Sequence, residues 1–189
     1  MTAETLSQIA FSGFVVATPI TRIPAAVPAC IPEKESRVFH IMASHSDSPS
    51  FKIKENPEMR VENAYTKLNV EGYGGMLMAP WFDRPLSVAG RVMVKTEKGV
   101  QTRLVNIDRD LLVIPNLAIH MDRTANDGMK YNPQTNLLPL FGDAASKDTF
   151  DKLVAEACGV KEEDVIASDL FLYNRTKPVV WGGHNEYMS

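Results

Sequence analysis

The chain is short of cysteine, of long apolar runs and of excess charge of either sign. Its two cysteines in 189 residues, Cys30 and Cys158, stand far apart and at no metal-site spacing. They exclude a disulfide scaffold and a cysteine-ligated zinc module, and such usage fits a reducing, cytoplasmic setting. The apolar stretch near the start, "IAFSGFVVATPI", is closed by Thr21, Arg22 and Pro24 well short of a bilayer span. The preceding "MTAETLSQ" has an acid and no basic cluster, unlike a secretory signal, so no membrane partner is expected. A net charge of −3 and a pI near 5.8 give no basic surface for nucleic acid. Repeats and low-complexity segments are absent too.

What is present is an ordinary globular composition, 44% hydrophobic and 23% charged, on a chain long enough for one core or one core with an appendage. Residues 1–30 form a leader with no assigned function, and Pro24, Pro28 and Pro32 mark its end as irregular or edge-like. "RVFHIMAS" reads as a strand near 38–43 buried on both faces, as in an α/β sheet. "SFKIKE" alternates, with Phe51 and Ile53 on one side and Lys52 and Lys54 on the other, and Asn56-Pro57 is expected to end that strand. "YTKLNVEGYGG" is a further strand closing on a glycine bend. "LSVAGRVMVKTEKGVQTRLVNI" predicts a β-hairpin turning at Gly99, and "DLLVIP" a short apolar strand. In "SKDTFDKLVAEACG", Phe150, Leu153, Val154 and Ala157 recur at helical spacing. Ser146 or Asp148 is expected to cap that helix and Gly159 to stop it. "SDLFLYNR" is the last long strand.

The segment richest in chemistry is "FHIMASHSDSPSFKIK". In an extended segment residues i and i+2 project to the same side, which pairs His45 with Asp47. A neutral imidazole is the commonest zinc ligand, and a ligating histidine usually donates its other N–H to a carboxylate. Taken by spacing alone, His-x-Asp equally fits a polar loop at a strand end.

Four segments in order, "HIMASHSDSPSFKIKENP", "YGGMLMAPWFDRPLSVAGRV", "LVNIDRDLLVIPNLAIHMDR" and "DLFLYNRTKPVVWGGHNEYMS", resemble the aspartyl aminopeptidase family of cocatalytic zinc metallopeptidases. The resemblance runs from Ile31 to Ser189. It implies an α/β fold, as a fragment of an α/β zinc-peptidase catalytic domain carrying an inserted β-rich dimerisation domain. The catalytic part would begin at 31–56, the insert would occupy 57–178, and 179–189 would return toward the catalytic domain. The implied activity is removal of N-terminal residues, Asp or Glu, from peptides by zinc-activated water, with two zinc ions in the family's complete site. By the same likeness His45 is a metal ligand, Asp47 is the acid beside it, and His120 in "NLAIH" reaches toward a neighbouring subunit's substrate. A homo-oligomer is implied.

Each assignment has a plainer counterpart. His120 also suits a buried, hydrogen-bonded core position, His40 a structural place in its strand, and His184 a loop. Trp81, Phe82 and Trp181 suit core or interface packing, and "KEED" a solvated charge cluster. In the family, the remaining ligands and the general base lie beyond the "GGHNEYMS"-like segment. The chain is therefore expected to be inactive alone, with weak zinc binding, and its strands near 38–43 and 51–54 are expected to lack sheet neighbours. The competing reading is a non-catalytic dimerisation module that associates with full-length aminopeptidase subunits.

Overall fold

The computed structural model describes residues 49–188 and, ahead of them, the segments 14–16, 25–26, 28–30 and 44–45. The chain divides into two units, Met1–Ser48 and Pro49–Ser189. In the first, strands β1 (Phe14–Val16), β2 (Ala25–Ala26), β3 (Pro28–Cys30) and β4 (Ser44–His45) form two short antiparallel pairs, β1 with β3 and β2 with β4. The strand expected near 38–43, and His40 within it, lie outside the described residues.

The second unit contains β5 (Ser50–Val61), β6 (Tyr65–Tyr73), β7 (Leu86–Thr96), β8 (Gly99–Asn106), helix α1 (Pro133–Asn136), β9 (Leu140–Asp143), helix α2 (Phe150–Cys158), β10 (Val165–Asn174), β11 (Val180–Trp181) and β12 (Tyr187–Met188). Six of these strands make one antiparallel sheet in the order β8-β7-β10-β5-β6-β9. The architecture is thus sheet-rich with few helices. No helix among the described residues is long and apolar enough to cross a membrane.

Alternation builds one buried face. Phe51 and Ile53 of β5, Leu68 and Val70 of β6, Val88, Val92 and Val94 of β7, Val105 of β8, and Leu170 and Leu172 of β10 are all buried. Phe150 and Val154 of α2 join them, with Phe82, Leu112, Ile114, Leu137 and Leu138 from the connections. Each such side chain contributes about 1.5–3 kcal/mol by leaving water. The expected hairpin is present: Thr96 pairs with Gly99, and Gly99 sits at φ 100°, where an L residue would be strained. The helix stops as expected at Gly159, in the left-handed conformation.

Three expectations need correction. Asn56-Pro57 does not end β5, which bulges between Ile53 and Glu58 and pairs onward with β6 to Val61. A bulge accommodates proline because its residues leave the hydrogen-bond ladder. Residues 51–54 accordingly stand inside the six-stranded sheet, with β6 on one side and β10 on the other, and do not lack neighbours. Neither Ser146 nor Asp148 caps α2 by its side chain; Asp143 instead caps the short turn at Ala144–Ser146. The N–H groups of Thr149 and Phe150 donate to Glu58 Oε1 of β5 at 3.0 and 2.6 Å. Asp148 N–H and the Lys147 ammonium engage Oε2.

Candidate functional site

His45 closes β4, opposite Ala25 of β2. Asp47 lies outside the described residues. His120 belongs to the other unit, so no shared site is described for the three.

The loop that carries His120 is built from a rigid base. Leu112 and Ile114 are buried, and single bridges tie Leu112 to Leu86, Ile114 to Phe82 and Val113 to Leu140. Asp83, at φ 56°, donates its N–H to Ile114 O at 2.9 Å. Its Oδ1 accepts from Asn116 N–H at 3.0 Å. Past this clamp the chain turns on itself, with Met121 N–H donating to Ala118 O at 2.8 Å, which puts Ile119 and His120 at the tip. Asp122 Oδ1 then accepts from both the hydroxyl and the N–H of Thr124, at 2.7 and 2.9 Å. These bonds, the hydroxyl's first, hold the Asp122 carboxyl below its ordinary range; a carboxylate is favoured by donors aimed at its charged form.

His120 is exposed, which removes the buried-core reading. Its neighbours are apolar and face water as well: Leu117, Ile119 and Met121 are 50%, 46% and 77% exposed. Three apolar side chains exposed within five residues of a hydrogen-bonded tip are a feature suited to a contact. His184 is likewise exposed in a turn, its N–H donating to Glu186 Oε2 at 2.7 Å. Trp81 packs edge-on against Phe51 at 5.1 Å, whereas Trp181 lies on Tyr187 at 4.9 Å with half its surface in solvent. The "KEED" run is solvated at Lys161, Glu162 and Glu163.

Among the described residues no three His, Cys, Asp or Glu side chains gather closely enough to hold a metal ion. Zinc sites need three or four protein ligands, and the described donor set therefore does not fit a complete site. Cys158 is no substitute, since burial pushes its thiol up against the weaker opposing effect of Arg103, and the thiolate is the ligating form.

Sequence reasoning missed Glu58. Its side chain is 6% exposed, and it holds the start of α2 from the opposite end of the chain order. The signal that hid it was Pro57, read as a strand end.

Comparison with known proteins returned the family of aminopeptidase I zinc metalloproteases (M18), whose family model matches residues 26–189. A probable M18 family aminopeptidase 2 of Clostridium acetobutylicum is 49% identical over 157 residues, covering 80% of this chain and 36% of that relative. Its counterpart in Pseudomonas aeruginosa is 36% identical over 157 residues, again covering 80% of this chain and 36% of the relative. The chain thus spans little more than a third of the curated relatives it matches. Among solved structures, the cryo-EM structure of the Ape4 and Nbr1 complex aligns with a TM-score of 0.72 at 28% identity, over 96% of this chain and 38% of the other. Chaetomium thermophilum mApe1 aligns with a TM-score of 0.65 at 27% identity, over 75% and 35%.

Proposed function

The chain belongs to the aminopeptidase I zinc metalloprotease (M18) family, and from that premise we propose that it is the dimerisation part, with a short stretch of catalytic domain, of a cytoplasmic metallo-aminopeptidase. The whole enzyme would remove N-terminal residues, Asp or Glu, from peptides with zinc-activated water. The α/β catalytic stretch would end at Ser48 and the inserted β-rich domain begin at Pro49, because β5 is continuous from Ser50 and belongs to the six-stranded sheet. His45 would be one zinc ligand with Asp47 beside it, and the other ligands and the general base would come from outside the described residues.

The observation that carries this reading is the His120 tip. A histidine placed among exposed apolar side chains on a clamped turn suits a residue that enters a neighbouring subunit's site. There its N–H would meet the charge that develops on the scissile carbonyl, a contact type worth about 10²–10³ in kcat.

A chimera tests it. In the Clostridium acetobutylicum relative, the matching 157 residues are replaced by those of this chain, and release of p-nitroaniline from Asp- and Glu-p-nitroanilide is followed. Activity that is lost with His45→Ala together with bound zinc, and that falls about 10²-fold in kcat with His120→Ala at unchanged zinc content, supports the reading. Metal-dependent activity from the 189-residue chain alone, or full activity of the His120→Ala chimera, would sink it. The module reading draws on the missing metal cluster among the described residues. It is favoured by an inactive chimera together with co-assembly of the isolated chain and the intact relative.

A further inference from the structure

Strand β10 is paired with β7 along its length, from Val165 to Asn174, but with β5 only at Phe171↔Lys52. Toward Val165 no further bridge joins the two strands, and there β5 bulges between Ile53 and Glu58 and β10 between Val165 and Ala167. The opening is a cavity of about 530 Å³ lined by Val165–Ser168, Glu55, Asp151 and Glu162. It adjoins a second of about 250 Å³ that shares those three acids and reaches Glu58 and Lys147.

Two independent properties of this opening point to a ligand. The first is backbone. Along Val165–Ser168, the N–H and C=O groups directed away from β7 meet no paired strand among the described residues. Unpaired strand groups are a template for another extended segment. Native edges are commonly blunted by proline or lysine, but this stretch reads Val-Ile-Ala-Ser, with Ile166 54% exposed. The second property is charge. Among the described residues the one ammonium lining the adjoining cavity, Lys147, is engaged by Glu58 and Asp148, and Glu55, Asp151 and Glu162 make no ion pair there. Burial first, then the charges of Glu58 and Glu162, push the Asp151 carboxyl up against the weaker opposing charge of Lys147, as crowding among acids does.

We propose that the opening between β5 and β10 is a strand-addition site for an extended, lysine- or arginine-bearing segment of a partner protein. The partner's main chain would pair with Val165–Ser168, and its basic side chains would meet Glu55 and Glu162. Main-chain pairing supplies affinity in this mode, and alternate side chains supply selectivity. This inference does not depend on the aminopeptidase reading.

The probe is a fluorescein-labelled hexapeptide of alternating lysine and valine, titrated against the 189-residue chain by anisotropy. Two relatives of the probe accompany it: one N-methylated at alternate residues, which keeps the charge and removes N–H donors, and one with glutamate for lysine. Binding of the parent peptide is expected, with the N-methylated form at least about tenfold weaker and the glutamate form undetectable at about 1 mM. Glu55→Gln with Glu162→Gln, both at exposed positions, is expected to weaken the parent at least about fivefold. Circular dichroism checks that this variant folds. Hydrogen exchange on the unmutated chain gives a variant-free reading: the amides of 166–168 should slow on binding. Equal affinity of the parent and N-methylated peptides would reduce the site to bare charge and overturn strand addition. No binding at about 1 mM, or binding insensitive to the double variant, would overturn it as well. So would self-association lost on Ile166→Pro, because the edge would then belong to a second copy.

Discussion

The start of α2 and the His120 tip are both turns pinned by carboxylates, yet they use their apolar residues in opposite ways. At α2, Glu58 gathers backbone N–H groups and an ammonium while Phe150 and Val154 go into the core. At the tip, Asp83 and Asp122 order the backbone while Leu117, Ile119 and Met121 are left in water. A carboxylate that reaches across the fold fixes an element against the core. The tip's carboxylates, Asp83 at its base and Asp122 within it, give the loop shape without burying it. The first region contributes stability, and the second presents a surface.

The comparison is broken most severely at Phe150, which is 1% exposed and packs edge-on to Phe141 at 5.7 Å. Phe150→Ala should cost about 3–5 kcal/mol, read as a lower urea midpoint; a loss under about 1 kcal/mol would mean that α2 is not anchored by its apolar face. Glu58→Gln keeps an acceptor oxygen but loses the charge facing the helix start and Lys147. It should cost about 2 kcal/mol, and a neutral result would show the α2 clamp to be no stronger than the loop's.

A third, smaller effect lies on the opposite face of the sheet, where Lys52 and Arg91 flank Asp169 at 2.9 and 3.1 Å. The Lys52 ammonium leads in holding the Asp169 carboxyl below its ordinary range, against the penalty of burial. A carboxyl with a depressed folded pKa adds stability above its unfolded pKa, near 3.9, and loses it as pH falls through the folded value. Asp169→Asn should therefore cost about 0.5–1 kcal/mol at neutral pH, and the gap to the parent chain should close in acid. A gap that persists at pH 2 would assign the effect to packing. The smallest change in stability is expected at the tip: Ile119→Ser with Met121→Ser should stay within about 0.5 kcal/mol. The same pair in the chimera should weaken subunit association, seen as a lower sedimentation coefficient on dilution; undisturbed association would deny the tip its role as a contact surface.

Much of the second unit was legible because local chemistry specified it. The alternation of Phe51 and Ile53 with Lys52 and Lys54 marked a half-exposed strand, Gly99 marked a hairpin turn, and Phe150, Leu153 and Val154 marked a helix that Gly159 ends. Pro57 misled for a physical reason: a proline ends a strand only where its missing N–H was needed, and the bulge removed that need. Of the candidate site, His120 was legible as a residue but not as an exposed one. Leu-Ala-Ile-His has the composition of a core segment, and nothing local reveals that no other element among the described residues covers it.

The sequence by itself determined the family, the strand periods and the positions of turn and helix stop, because these depend on side-chain spacing and backbone preference within a few residues. Tertiary structure alone decided that Glu58 would hold a helix ninety-odd residues later, that β10 would part from β5 beyond Phe171, and that Ile119 and Met121 would face water. Those outcomes depend on which elements meet across the sheet, and a carboxylate or an apolar side chain takes its role from the partner that arrives beside it.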